Sequence, residues 1–357
     1  MLSNCNHYNS NNCTLTGNLD NIKDGTVLNL TDIDSGKICQ KITVQAGIFK
    51  TNLKLTKPRF FGIWQENPKN DSSRLYLWLE NSKININANF KYLAGAEVKG
   101  SLSNEIYNKY LAIEKDYEKI KTASMCFNNI STKQHTIDSI EKQNEQILVH
   151  YKPAIVNFYS DNINSEVAFH FLYAELKKYK SALLKDDIKN LYRNLPEEKK
   201  LSKEGKLIDE FTSFPNVPKI GDKFIDVSLD TPEGKSESIS KNLGKYTILE
   251  FWGSGCPVSF WMRPRLKNMY NLYHKKGLNI IGISNDDEYD SWRQAIRKDS
   301  IPWLNISDLN SWYNKAFLIY GIYYTPNWIL LDDKGVIIDN QLAQKGIEEE
   351  LKNRFKN

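Results

Sequence analysis

The first hundred residues show hydrophobic positions that alternate with a period of two. Strand-like runs such as TLTGNL, GTVLNLTDI and RLYLWLENSKININANF are separated by turn signals, among them Asp24-Gly25 and Gly47. Alternation of this kind places every second side chain on one face of a sheet. Residues 13–103 are therefore predicted to form an antiparallel β domain, either a small sandwich or an open barrel, and residues 1–12 a flexible tail.

The hydrophobic period changes near Ser103. Apolar residues then recur at spacings of four and three, which draws one apolar stripe along a helix that Ser103 is predicted to cap; the stripe contains Ile106, Tyr110, Ile113, Tyr117 and Ile120. Three further helices are predicted, around 136–150, 165–180 and 186–195. The Pro/Gly-marked segment PNVPKIGD predicts a boundary near residue 214, so that residues 104–213 form a helical connector domain.

Strands and helices alternate in the last part of the chain. YTILEFW and LNIIGIS are apolar strands, a helix is expected between them over 257–276, and NWILLDD and GVIID form a hairpin before a closing helix. This order predicts a sheet with a parallel βαβ part and an antiparallel hairpin. Residues 214–357 are therefore predicted to adopt an α/β thioredoxin-like fold.

Composition limits the classes of function. A chain of 357 residues is long enough for more than one core. The net charge of +5 comes from 48 basic and 43 acidic residues without a dense basic block, so nucleic acid is not an expected partner. The five scattered cysteines have neither the even number of a disulfide scaffold nor the spacing of a zinc site, and no cofactor or metal is expected.

One cysteine occupies a position where thiols become reactive. In ILEFWGSGCPVSFWMRPRL, residues 248–266, Cys256 lies where an apolar strand gives way to a helix. The positive end of the helix dipole and the free amides of the first turn favour a thiolate there, and Pro257 suits the first helical position. The alternative is an unreactive cysteine at a strand end. Arg263 and Arg265 add positive charge nearby, and we expect them on the solvated surface.

The last 140 or so residues resemble the TlpA-like, thioredoxin-like thiol-disulfide oxidoreductases of the bacterial cell envelope, in the AhpC/TSA-Redoxin superfamily. The matching positions are Phe251, Trp252, Ser254, Cys256 and Pro264 around the active site, Glu250 at the place of a buried acid, and Thr325-Pro326 at a cis-proline loop. The N-terminal β domain of unknown function and the helical stretch YSDNINSEVAFHFL complete an arrangement seen in envelope proteins of Gram-negative bacteria. The resemblance implies catalytic roles for Cys256, Ser259, Pro326 and Glu250, and substrate contacts for Trp252, Pro257, Thr325 and Tyr324.

The largest departure from the family pattern is Ser259, which stands where the second cysteine of C-x-x-C is usual. A single thiol completes only the attack on a disulfide, so release of the mixed disulfide requires an external reducing thiol. Ser259 either hydrogen-bonds the Cys256 thiolate or is a passive small residue. Glu250, whose counterpart assists the second thiol, is either catalytic or only a satisfied buried carboxylate.

Three functions remain open from the sequence. The first is a monothiol oxidoreductase acting on protein or small-molecule disulfides in the periplasm or cell envelope, with a lipid anchor at Cys5 as a further expectation. The second is a redox-inert binding or scaffold protein. The third, a thiol peroxidase working through a sulfenic acid, is disfavoured because Leu249 and Gly253 occupy the positions where such sites carry Pro and Thr or Ser.

Overall fold

The computed structural model describes residues 12–66, 70–128, 149–178, 181–340 and 346–356. The tail that contains Cys5 and most of the helix predicted at 136–150 lie outside these ranges. The chain divides into two compact units. The first extends to Tyr173 and includes Ala182–Lys206, and the second comprises Ala174–Ser181 and the residues from Leu207 onward.

The first unit contains a β-sandwich of eight strands. Their bounds are β1 Cys13–Asp20, β2 Val27–Asp32, β3 Ile38–Thr43, β4 Ile48–Leu53, β5 Arg59–Gln65, β6 Leu75–Leu79, β7 Lys83–Asn89 and β8 Tyr92–Lys99. One sheet has the strand order β4-β1-β7-β8 and the other β3-β2-β5-β6. The predicted N-terminal β domain is confirmed, and the apolar positions of the period-two pattern form its core, including Leu15, Leu30, Ile63, Leu77 and Ile84.

Strand pairing in the sandwich differs from the prediction at one place. β1 pairs with β7 in parallel, with Thr14 opposite Lys83 and Asp20 opposite Asn89, whereas every other pair of neighbouring strands in these two sheets is antiparallel. A period-two pattern shows which side chains face the core but does not show which strands become neighbours. The predicted antiparallel domain is confirmed, and β1 with β7 is the parallel exception within its two sheets.

Helices follow the sandwich along the chain. Their bounds are α1 Leu102–Asn128, α2 over 149–161, α3 Glu166–Glu175, α4 Lys185–Arg193, α5 Glu197–Leu201 and α6 Lys203–Ser213. The residue that caps α1 is Ser101, whose Oγ accepts a hydrogen bond from the Asn104 amide at 3.2 Å. The prediction of Ser103 as the cap was wrong, because the helix already begins at Leu102 and the Ser103 hydroxyl donates to Glu80 instead.

The second unit is built on a five-stranded sheet with the order β13-β12-β11-β14-β15. The strands are β11 Tyr246–Trp252, β12 Leu278–Ser284, β13 Leu304–Ile306, β14 Asn327–Asp332 and β15 Ile337–Asp339, and a small hairpin of β9 Ser228–Asp230 and β10 Ser236–Ser238 precedes them. β12 pairs with β11 and β13 in parallel, while β14 is antiparallel to both β11 and β15. This is the predicted thioredoxin-like layout.

Both faces of the central strand β11 are covered. Ile248 packs in a cluster with Leu266 of α7 and Ile347 of α10, whereas Phe251 packs on the other face with Phe317 of α9. The helices of this unit are α7 Pro257–Tyr273, α8 Tyr289–Lys298, α9 Lys315–Tyr320 and α10 Ile347–Arg354. Because successive side chains of a strand point to opposite faces, a strand buried on both faces must be apolar almost throughout, as YTILEFW is.

Two isoleucines of the same sheet provide a matched test of the sandwich. Ile84 on β7 is 0% exposed, and Ile48 on β4 is 52% exposed. We expect Ile84→Ala to lower the free energy of unfolding of this unit by about 2–5 kcal/mol, because it leaves a cavity in the core. Ile48→Ala is expected to cost at most about 1 kcal/mol. Hydrogen exchange of the β1 and β7 amides in the full chain measures both, and equal losses would contradict the assignment of the core.

Candidate active site

The site is formed where β11 ends and α7 begins. Cys256 is the N-cap of α7 in an extended backbone conformation, and Pro257 occupies the first helical turn. The connection between strand and helix is fixed by Asp286, which is 9% exposed. Its carboxylate accepts hydrogen bonds from the Ser254 amide at 3.1 Å, from the Ser254 hydroxyl and from the Ser284 hydroxyl.

Asp286 is a positioning residue that the sequence analysis missed. It lies just past the carboxyl end of β12, next to the carboxyl end of β11, because these two strands are parallel neighbours. It belongs to the segment SNDDEYD, residues 284–290. The position of an acid at the end of a parallel strand, beside the turn that carries the cysteine, is the signal that identifies it.

The thiol of Cys256 is bonded on two sides. Its Sγ accepts a hydrogen bond from the Ser259 amide at 3.4 Å and donates one to the Thr325 carbonyl oxygen at 3.3 Å. Partial burial raises the pKa of Cys256, but hydrogen bonds from the side chains of Ser259 and Thr325 and from the amides of Ser259 and Val258 outweigh it, so the pKa is lowered. A lowered pKa increases the thiolate fraction near neutral pH, and the thiolate is the nucleophile.

Ser259 faces this sulfur from one turn along the helix. It is 1% exposed, and its hydroxyl has no hydrogen-bond partner in the described part of the chain. A buried hydroxyl without a partner costs free energy. Ser259 is among the groups that lower the Cys256 pKa, so ionisation of Cys256 would give this hydroxyl an acceptor.

The Thr325–Pro326 peptide bond is cis, as the resemblance implied. Thr325 brings its carbonyl oxygen to the Cys256 sulfur, and Pro326 is buried beneath it. The neighbouring Tyr324 is 45% exposed. The structure therefore brings Cys256, Ser259 and Thr325 together, with Pro326 next in the chain and Tyr324 beside them at the surface.

Glu250 belongs to a buried charge cluster. It is 1% exposed, accepts a hydrogen bond from the Trp303 indole at 3.1 Å and lies 3.6 Å from Arg263 Nη2. Arg263 Nη1 donates to Asp299 Oδ2 at 2.9 Å. Within the residues that the structure describes, no hydrogen bond or ion pair joins Glu250 to Cys256 or Ser259.

Arg263 corrects one sequence expectation. Its side chain is 3% exposed, and its guanidinium lies 4.2 Å from the ring centroid of Trp252. The expectation of a solvated surface position was wrong, because the side chain points back between the two carboxylates. Arg265, in contrast, is partly exposed and forms an ion pair with Glu348.

Burial has the largest effect on the pKa of Glu250. It raises the pKa of Glu250 to about 7, Arg263 and the Trp303 hydrogen bond lower it, and Asp299 raises it. Two carboxylates share one guanidinium in this cluster. Their mutual repulsion and the loss of solvation therefore offset much of the attraction to Arg263.

A pocket of about 280 Å³ opens beside Cys256 on a side that the Thr325–Pro326 loop does not line. Residues of the β11–α7 connection, of α7 and of α8 form its walls: Trp252, Gly253, Ser254, Cys256, Phe260, Arg263, Ser291, Gln294, Ala295, Lys298 and Asp299. Of the residues predicted to contact substrate, Trp252 lines this pocket, while Pro257, Thr325 and Tyr324 do not. No cluster of His, Cys, Asp and Glu suited to a metal ion is present among the described residues.

A sheet with this strand order, a cysteine at the N-cap of the helix after the central strand, and an adjacent cis-proline define a thioredoxin-like domain. Residues 220–340 match the AhpC/TSA family, and this part of the chain has the thioredoxin-like fold. Residues 13–107 match a domain of unknown function, DUF4369.

Two curated relatives and one solved structure are similar to the C-terminal part of the chain. Thiol-disulfide oxidoreductase ResA of Halalkalibacterium halodurans is 27% identical over 147 residues, which cover 41% of this chain and 80% of that protein. A chloroplastic peroxiredoxin Q of Triticum aestivum is 31% identical over 134 residues, covering 35% and 61%. Among solved structures, the thioredoxin domain of a thiol-disulfide oxidoreductase from Bacteroides vulgatus has 27% identity and a TM-score of 0.36, covering 39% of this chain and 99% of that one. The family match and the ResA similarity support thiol-disulfide oxidoreductase chemistry and the predicted TlpA-like class.

The thiolate at Cys256 is testable by alkylation. We expect the alkylation rate of Cys256 to reach its plateau at a lower pH than that of an ordinary thiol of pKa about 8.5. Ser259→Ala should move this profile to higher pH, because one donor to the thiolate is lost, while Ser291→Ala on the pocket wall should not move it. Mass spectrometry of the Cys256 peptide measures the rate, with the exposed Cys39 as an internal reference. A profile unaffected by Ser259→Ala would show that the hydroxyl does not act on the sulfur.

The raised pKa of Glu250 predicts a pH dependence of stability. The folded pKa of about 7 lies above the ordinary value of 4.5, so between these values the folded state holds a proton that the unfolded state has lost. Stability therefore falls as pH rises from about 4.5 to about 7 and is constant above. Glu250→Gln removes this dependence, so its stability relative to the parent should rise by on the order of a few kcal/mol between about pH 4.5 and 7, in addition to any constant loss from the ion pair with Arg263. Denaturant unfolding at several pH values measures the gain, with Glu349→Gln on α10 as the control; parallel profiles for parent and Glu250→Gln would contradict it.

Proposed function

We propose that this protein is a thiol-disulfide oxidoreductase that acts through one thiol. The Cys256 thiolate attacks one sulfur of a disulfide R1–S–S–R2, a Cys256–S–S–R1 bond forms, and R2–S⁻ leaves and takes a proton from solvent. The observation that carries the proposal is a partly exposed thiol at the N-cap of α7 whose Sγ accepts a hydrogen bond from the Ser259 amide; the lowered pKa of Cys256 agrees with it.

The second half of the reaction needs a thiol from outside. Ser259 stands where an internal resolving cysteine would attack, and Cys256 is the only cysteine after Cys126 in the chain. A serine hydroxyl does not displace sulfur in thiol-disulfide exchange, which requires a thiolate. An external thiol therefore attacks the mixed disulfide and regenerates Cys256.

Other site residues have supporting roles in this proposal. Ser259 donates its hydroxyl to the thiolate, and Thr325 and Pro326 form the wall against which the substrate sulfur lies. Glu250 is a positioning residue, because its contacts are with Arg263 and Trp303 and not with the sulfur.

The surface around Cys256 suits a substrate in which apolar residues lie next to the disulfide. Val258, Phe260, Trp261 and Tyr324 are large side chains between 45% and 71% exposed. Exposed aromatic side chains close to a nucleophile provide contact area for a protein or peptide substrate. Pro257 and Thr325 complete this proposed substrate-binding set, whereas Trp252, predicted to belong to it, is 0% exposed and does not reach this surface.

The proposed place of action is the periplasm or cell envelope of a Gram-negative bacterium, with Cys5 as a lipid-anchoring residue. The similarity to ResA and the envelope-type resemblance support the compartment. Among the described residues, no helix has the length and apolar content to cross a bilayer. Cell fractionation, with and without Cys5→Ala, tests both the compartment and the anchor.

Trapping of a mixed disulfide tests the reaction. We expect the reduced protein to form one adduct with oxidised glutathione at Cys256 at neutral pH, and Cys256→Ala to form none there. In Ser259→Cys the adduct should be replaced by an internal disulfide between Cys256 and the introduced cysteine, because the new thiol lies one helical turn from the first. Intact and peptide mass spectrometry identify the products, and Cys39→Ala is the matched control that should leave the Cys256 adduct unchanged. Absence of any Cys256 adduct would instead favour the redox-inert scaffold.

A further inference from the structure

We propose that the pocket beside Cys256 binds the external reducing thiol, and that this thiol is a small amino-acid-like molecule carrying both an ammonium and a carboxylate group. This inference rests on the proposed function, since a monothiol site requires such a second thiol. It assigns a ligand class to a cavity that the attack on the substrate disulfide does not use.

The pocket lies beside Cys256, on a side away from the Thr325–Pro326 loop. Cys256 forms part of the pocket wall, while its sulfur contacts the Thr325 carbonyl, a residue outside that wall. A disulfide substrate lying along the Thr325–Pro326 loop therefore leaves the pocket side of the sulfur open. In thiol-disulfide exchange the attacking and leaving sulfurs lie on opposite sides of the central sulfur, so a thiol held in the pocket is placed to attack Cys256.

The pocket is lined by charged side chains of both signs. The pocket wall carries two cations, Arg263 and Lys298, and one anion, Asp299. Arg263 is 3% exposed, with its Nη1 bonded to Asp299 and its Nη2 3.6 Å from Glu250. The positive charges of Arg263 and Lys298 beside the cavity favour a bound carboxylate. Lys298, exposed at the pocket rim with its Nζ 5.8 Å from the Phe260 ring centroid, adds to that preference.

Asp299 explains why a purely anionic thiol is the poorer fit. Its Oδ2 accepts from Arg263, and its Oδ1 makes no hydrogen bond within the described part of the chain. A carboxylate oxygen left open on a pocket wall repels an anion and attracts an ammonium group. Ser291 and Gln294 add uncharged polar groups to the same wall. A zwitterion of cysteine-like chemistry satisfies both signs.

The size of the pocket suits a small ligand. Its volume of about 280 Å³ lies just below the usual range of small-molecule pockets, about 300–1,000 Å³. It holds a ligand of amino-acid size, and a partner protein would fit into it with one side chain at most. The proposed reducing thiol is therefore a small molecule, whereas the substrate disulfide occupies the open surface.

The chemical steps balance with two molecules of this thiol, R–SH. The first thiolate attacks the Cys256 sulfur of Cys256–S–S–R1, forming Cys256–S–S–R and releasing R1–S⁻. The second thiolate attacks the ligand sulfur of Cys256–S–S–R, releasing the Cys256 thiolate and R–S–S–R. In total one substrate disulfide is reduced and two small thiols are oxidised.

The test uses the full chain with Cys5, Cys39 and Cys126 changed to alanine, since Cys13 is buried. Cys256 is first converted to its mixed disulfide with 2,2′-dithiodipyridine, and the release of pyridine-2-thione by added thiols is followed by absorbance. The thiols are L-cysteine, cysteamine with only the ammonium, 3-mercaptopropionate with only the carboxylate, and uncharged 2-mercaptoethanol. Rates are compared per thiolate.

We expect L-cysteine to show saturation and to react about tenfold faster than 2-mercaptoethanol, with the two singly charged thiols between them. Lys298→Gln and Ala295→Trp should each remove most of this preference, the first by loss of charge and the second by filling the pocket. Arg297→Gln, one residue from Lys298 and outside the pocket wall, is the matched control and should retain it.

Two failures are distinguishable. If Cys256 forms no pyridyl adduct, the proposed oxidoreductase function itself fails. If the adduct forms but all four thiols react equally per thiolate, or the preference persists in both pocket variants, only the pocket assignment is overturned.

Discussion

The active-site end of the C-terminal domain depends on one buried guanidinium. Arg263 connects the helix that carries Cys256 to the central strand, through Glu250 and the face of Trp252, and to Asp299 just after α8. Removing one partner of a buried ion pair is far more costly than the net value of the pair, because the remaining charge stays desolvated. The helix α7, the strand β11 and the pocket wall are therefore held in one arrangement. The buried contacts of Arg263 thus help to position Cys256.

In this site the groups that surround the thiol are separate from the groups that engage the buried acid Glu250. In the proposed reaction the thiol is activated by local donors, namely the Ser259 amide and hydroxyl and the first turn of α7. The acid at Glu250, in contrast, is engaged by Arg263 and Trp303. Nucleophilic attack needs only the first set. The presence of serine at 259 and of arginine at 263 is thus consistent with a site that keeps attack and leaves resolution to another molecule.

The sequence was sufficient to predict the fold and the position of Cys256 at the start of a helix, but insufficient to predict contacts between distant side chains. The strand YTILEFW followed by Cys256-Pro257, with Thr325-Pro326 before the next apolar strand, predicted the thioredoxin-like sheet and its cis-proline. Arg263 was misplaced because its partners, Glu250 and Asp299, are 13 and 36 residues away, and no local pattern shows that a charged helix residue faces inward. Asp286 was missed for the same reason, since it contacts Ser254, 32 residues away. The pocket could not be predicted because its wall combines residues of α7 and α8.

The parallel pairing of β1 with β7 has a consequence for how the sandwich is assembled. β1 is an inner strand of its sheet, yet its partner begins 69 residues later, where Thr14 meets Lys83. Contacts between residues so far apart in the chain form slowly, because the intervening loop must close first. During synthesis the first strand thus has only β4 to pair with until β7 has left the ribosome. The N-terminal sandwich is a domain whose earliest segment is among the last to be completed.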